Sequence, residues 1–221
     1  MKFQCYFVAF LLVCSASVFA EDKTTSGKEK SEWINLLAEK GLKNWKRIPL
    51  APDTKLRAKN PWKRKRNVLI CDGVDVKEML LYKTKFKDGI YHLEWRFRKV
   101  KGMPEYNSGA YVRTQDGQNW YQVQLAHVKK RPMLGDIFWV KIVENKPQFV
   151  VIEGTGAKQA RPPGQWNTYE ITTKGKTIEV RVNGVKTCTW KDCPVEEGYV
   201  GLQSEFYYLE FRNLKFKPIK E

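Results

Sequence analysis

Apolar and polar positions along this chain alternate with a period of two far more than with the period of a helix. Tyr91, Leu93, Trp95 and Phe97 are interleaved with His92, Glu94, Arg96 and Arg98, which predicts a strand with one face buried and one polar. Val68 to Cys71 is a short apolar run stopped by Asp72-Gly73. Further strands are predicted over 109–113, 120–125, 137–143, 149–152, 168–172, 178–182, 199–203 and 208–216. Asp116-Gly117 marks a turn. Asn183-Gly184 marks a hairpin, because both residues tolerate positive φ. Around Trp33, Ile34, Leu36 and Leu37 the pattern fits two elements equally: an amphipathic helix capped by Ser31, or a short strand entering a turn at Lys40-Gly41. Roughly ten or more short strands with little helix imply an all-β sandwich or jelly roll. No boundary or internal repeat divides it, so a single domain is expected.

The first twenty residues read differently. Lys2, an apolar run from Phe3 to Val13 and small residues ending at Ala20 describe a secretory signal peptide over 1–20. The run is shorter than the roughly 20 residues that a spanning helix prefers. Residues 21–30 are polar and charged, as in a flexible tail, and 31–221 make up the domain. A secreted or periplasmic location follows, with no transmembrane segment after the leader.

Composition narrows the classes further. Apolar residues at 42% exclude a disordered chain, and aromatics at 13% suit a β-rich one. The formal charge is +16, and its densest patch is Lys55, Arg57, Lys59, Lys63, Arg64, Lys65 and Arg66. This run from Lys55 to Arg66, with a second cluster at Lys129, Lys130 and Arg131, either meets anionic surfaces or forms solvated loops. The leader argues against nucleic acid as a partner, and Trp62 alone is a poor stacking platform. Cys188 and Cys193 have a spacing that closes a hairpin disulfide in an oxidising compartment, or they are buried thiols on neighbouring strands. Only two histidines exist, His92 and His127, and no Cys/His spacing resembles a zinc site. No cofactor is expected; a divalent metal remains compatible.

Several segments together carry a resemblance. They are Leu93-Glu94-Trp95-Arg96, Asn107-Ser108-Gly109-Ala110-Tyr111-Val112-Arg113 and Tyr121-Gln122-Val123-Gln124. Pro163 to Ile171, Val182-Asn183-Gly184, Gly198 to Glu205 and Leu209 to Leu214 follow in order. In this register the chain resembles the 3-keto-disaccharide hydrolase domain family, once a domain of unknown function, from about Trp33 to Ile219. The resemblance implies a concanavalin A-like lectin/glucanase jelly roll in a bacterial protein acting on carbohydrate. It also favours a strand over a helix at Trp33. The implied reaction cleaves glycosides already oxidised to a ketone at C3, in some relatives by elimination.

Such chemistry needs a base for the acidified C2 proton, a donor for the enolate oxygen and an acid for the leaving group. Glu94 or His127 is the expected base, with Arg96 or Arg113 at the enolate. The alternative for Glu94 and Arg96 is a cross-strand ion pair. Substrate contacts are expected from Asn107, Gln122, Gln124, Asp136, Gln203 and Glu205, converging with the polar face of His92, Glu94 and Arg96 on one sheet face. Many relatives resembling this chain carry Glu where Gln122 stands, and Gln cannot exchange protons. A non-catalytic carbohydrate-binding module on the same fold is therefore the competing expectation.

Overall fold

A computed structural model describes residues 33–50, 55–73, 75–128 and 132–220. The expected signal peptide over 1–20, the expected flexible tail over 21–30 and the cluster at Lys129 to Arg131 lie outside the described residues. Among the described residues fifteen strands make two antiparallel sheets, and the jelly roll expected from the alternation is what forms. They are β1 (Ile34–Asn35), β2 (Trp45–Pro49), β3 (Trp62–Lys65), β4 (Val68–Cys71) and β5 (Lys77–Phe86). Then come β6 (Gly89–Phe97), β7 (Tyr106–Asp116), β8 (Asn119–His127), β9 (Ile137–Val143) and β10 (Lys146–Ile152). The last are β11 (Asn167–Lys174), β12 (Thr177–Val182), β13 (Val185–Trp190), β14 (Gly198–Glu205) and β15 (Leu209–Pro218). Among the described residues no helix is long and apolar enough to cross a membrane.

One sheet runs β13-β12-β11-β6-β15-β4-β3, with β1 also paired to β15; the other runs β10-β9-β8-β7-β14-β5-β2. The core lies between them. Tyr91, Leu93, Trp95 and Phe97 on β6 are wholly buried and face Tyr121, Val123 and Leu125 of β8 within one cluster. The ambiguous start resolves as a strand, because Ile34 and Asn35 pair with Phe216 and Lys215. Gly41 then turns the chain at φ 72°. Asn183 and Gly184, at φ 49° and 87°, join β12 to β13 in the expected two-residue hairpin.

Cys71, Cys188 and Cys193 are free, buried thiols, so the hairpin disulfide does not form. Burial pushes the Cys71 thiol up to about 12 and Cys188 to about 11, which leaves both unreactive near neutrality. Trp62 is no stacking platform either. Its ring is buried and its indole N–H donates to Glu78 at 2.8 Å, inside the Arg47–Glu78 ion pair.

Candidate functional site

The outer face of the seven-stranded sheet is not solvated throughout. Met79, Leu81, Tyr111, Trp120 and Val140 form a second apolar cluster there, separate from the core between the sheets. Beside it opens a cleft of about 930 Å³, within the size range of small-molecule sites. Strand pairing sets the side chains out in rows. Glu205 lies opposite Lys77, Gln203 opposite Met79, Gln122 opposite Phe138 and Trp120 opposite Val140. Asn107, Gln122, Gln124, Gln203 and Glu205 all line this cleft, so five of the six expected substrate contacts come together.

These five form one directed network. The Gln122 amide donates to Gln124 Oε1 at 2.7 Å and to Gln203 Oε1 at 2.9 Å. Gln203 donates on to Glu205 Oε2 at 2.9 Å. By the other branch Gln124 donates to Asn107 Oδ1, and Asn107 donates to the same Glu205 Oε2 at 2.8 Å. Gln122 spends both its N–H groups, whereas Gln124, Asn107 and Gln203 each keep one for a ligand. Glu205 Oε1 accepts from no described residue. Burial raises the Glu205 carboxyl above its ordinary range, and the positive charge of Lys77 partly opposes this. Gly109 makes the arrangement fit: a Cβ there would lie 2.2 Å from the Gln122 Nε2, so the amide crosses the strand where only glycine leaves room.

The expected catalytic residues are placed elsewhere. Glu94 and Arg96 share the solvent face of the other sheet, across the core from the cleft, because β6 sends its odd-numbered residues inward. Arg212 donates to Glu94 at 2.6 Å and Arg96 pairs with Glu210 at 2.5 Å, the cross-strand pairs of the alternative reading. Both guanidinium groups also lie against the Trp166 ring, Arg96 at 4.5 Å and Arg212 at 4.1 Å from its centre. Burial would raise the Glu94 carboxyl, but bonds from Asn213 and Arg212 outweigh it and hold it below its usual value. His92, on the same face, lies 3.6 Å from Glu170.

Arg113 is 1% exposed, with its guanidinium 3.2 Å from Asp88 and donating to the Val195 carbonyl at 3.1 Å. It sits at φ 50° where the β7–β8 register shifts, so it anchors a bulge rather than facing the cleft. His127 has the parity of Tyr121, Val123 and Leu125 and turns toward the Trp95 and Phe97 rings, away from Gln122 and Gln124. Burial depresses its pKa, and its Nε2 is buried without a partner among the described residues. It lines a separate, mostly apolar pocket with Met103, Pro104 and Leu134. Asp136 is also outside the cleft lining; it accepts the Gly154 N–H at 2.9 Å and fixes that loop. Among the described residues no group of three His, Cys, Asp or Glu side chains is placed to hold a metal. Lys77, Trp120, Phe138 and Phe149 line the cleft but were not singled out in the sequence. Trp120 had a legible signal, its parity with Gln122 on β8, whereas Lys77, Phe138 and Phe149 reach the cleft only through strand register.

Several solved structures share this fold. A candidate glycosyl hydrolase of Parabacteroides distasonis is 20% identical, with a TM-score of 0.60 over 85% of this chain and 100% of its own. A carbohydrate binding module, CBM66, from Bacillus subtilis is 12% identical, with a TM-score of 0.57 over 79% and 95%. A Bacillus licheniformis β-glucanase is 10% identical, with a TM-score of 0.51 over 84% and 97%. At these identities the likeness is one of fold. No curated protein matches the chain in sequence. Residues 32–217, nearly the whole described domain, match the 3-keto-alpha-glucoside-1,2-lyase-like domain, and the chain belongs to that family.

Proposed function

We propose that this chain cleaves the glycosidic bond of 3-keto-glycosides in the cleft of the seven-stranded sheet, with Glu205 as the base. The observation that carries this reading is the Glu205 carboxylate. It is recessed, raised in pKa, and bound through Oε2 by two amides, which leaves Oε1 for the cleft. A carboxylate lifted above its ordinary pKa is a stronger base than a solvated one.

In the proposed step Oε1 takes the C2 proton, and the C–H electron pair forms the enolate of the C3 ketone. Lys77, opposite Glu205 across the β14–β5 pair, and the spare amide N–H groups stabilise the enolate oxygen. The enolate then collapses to a C1=C2 double bond as the C1–O bond breaks. The departing oxygen regains a proton from the new Glu205 carboxyl or from water. Addition of water across C1=C2 would complete a net hydrolysis. Gln122 has no part in proton transfer; it aligns Gln124 and Gln203, the amides that lead to Glu205. The leader-like 1–20 segment fits a protein that meets such substrates outside the cytoplasm.

A binding-only reading rests on one observation, that Gln122 stands at the centre of the network and supplies no second acid or base. One experiment separates the two: incubation with a 3-keto-glucoside and its unoxidised counterpart, following aglycone release. Turnover of the keto substrate alone, lost in Glu205→Gln, supports the enzyme. Binding of both glycosides without turnover leaves a carbohydrate-binding module.

A further inference from the structure

The cleft has two unlike halves. Its polar groups gather where Asn107, Gln124, Gln203 and Glu205 meet Lys77. From Gln122 outward across β8, β9 and β10 the rows turn apolar: Gln122–Phe138–Val151, Trp120–Val140–Phe149 and Ile142–Pro147. A second sugar ring on that half would give up water at its hydroxyls, and Asn145 is the polar side chain lining there among the described residues. Burying hydroxyls against Val140, Ile142 and Pro147 without new hydrogen bonds is unfavourable. A flat apolar group loses nothing on the same surface and gains contact with two aromatic rings. Phe149 is the telling residue. It is 58% exposed and stands on the edge strand β10, a position that favours charge or proline unless the apolar surface is used.

We infer that the apolar half of the cleft takes an aromatic aglycone, so that the substrates are aryl 3-keto-glycosides rather than keto-disaccharides. The inference rests on the proposed function for the meaning of turnover, though not for the meaning of binding. The sugar ring lies on the amide network with C2 facing Glu205, and the aryl group lies on Trp120, Val140 and Phe149.

The test compares phenyl 3-keto-glucoside with a 3-keto-disaccharide as substrates, and phenyl glucoside with the unoxidised disaccharide as calorimetric ligands. A kcat/KM at least 10-fold higher for the phenyl substrate is expected. In Phe149→Ala the phenyl-to-disaccharide ratio should fall about 5-fold, which an exposed side chain permits without unfolding. Equal or better use of the disaccharide, or equal losses on both substrates in Phe149→Ala, overturns the inference. If neither keto substrate turns over, the proposed reaction fails, and the calorimetric pair still decides the occupant. Tighter phenyl glucoside binding, weakened by Phe149→Ala, upholds an aryl site, and disaccharide preference refutes it.

Discussion

Glu205 illustrates how one residue can be costly to the fold and useful to the chemistry. Its folded pKa is raised by burial, so the folded state favours the protonated form. The stability linked to it is present in full below the unfolded carboxyl pKa and is lost as pH rises through the folded value. Glu205→Gln removes that loss while its amide oxygen still accepts from Asn107 and Gln203. The variant should melt at the same or a higher temperature than the parent at pH 7 in a thermal scan. Its kcat on a 3-keto-glucoside should nonetheless fall by at least about 100-fold, the usual contribution of a positioned base. Lys77 gives a second reading of the same group. Its charge lowers the Glu205 pKa, so Lys77→Met should move the acid limb of the kcat/KM profile to higher pH. A limb that stays in place would remove Lys77 from the site.

At the scale of strands, parity decided what could be foreseen. β6 was legible because strict alternation of Tyr91, Leu93, Trp95 and Phe97 with polar residues is what one buried face requires. The polar residues on its other face were legible as a group but not as to which side of the molecule they occupied. Two sheets in one chain offer two solvent faces, and only the strand order separates Glu94 from Gln122. β5 was missed for a related reason. Glu78 to Tyr82 are buried without a break, since one side faces the core and the other the apolar cluster under the cleft. With no alternation to read, Lys77 at its start went unnoticed. The placement of Arg113 makes a testable contrast. Arg113→Ala leaves Asp88 without its buried cation and should lower unfolding free energy in urea by about 3 kcal/mol. Glu94→Gln, at a half-buried pair on the far sheet whose arginine is exposed, should change it by only about 1 kcal/mol and leave turnover at the parent level. Loss of turnover without loss of stability in either variant would return that residue to the chemistry.

For the whole molecule, the question is where a charge of +16 resides. Part of it guards the sheet margins. β3 is the outermost strand of its sheet, with Lys63 and Lys65 exposed and Arg66 just beyond, while Lys46 and Arg47 lie on β2 at the margin of the other sheet. An outermost strand presents unpaired N–H and C=O groups to any other extended chain, and lysine is a common deterrent to such pairing. The dense basic run thus acquires a structural purpose that needs no anionic ligand, and it lies on a different sheet from the cleft. Replacing Lys63 and Lys65 by Thr removes the deterrent and strengthens the strand's own β propensity. The double variant should aggregate at lower concentration than the parent by light scattering, most visibly at high salt, where the remaining repulsion is screened. Its kcat/KM on a neutral 3-keto-glucoside should stay within about two-fold of the parent, because neither lysine reaches the cleft. A variant that stays soluble but loses retention on an immobilised anionic polysaccharide would instead make the run a binding surface.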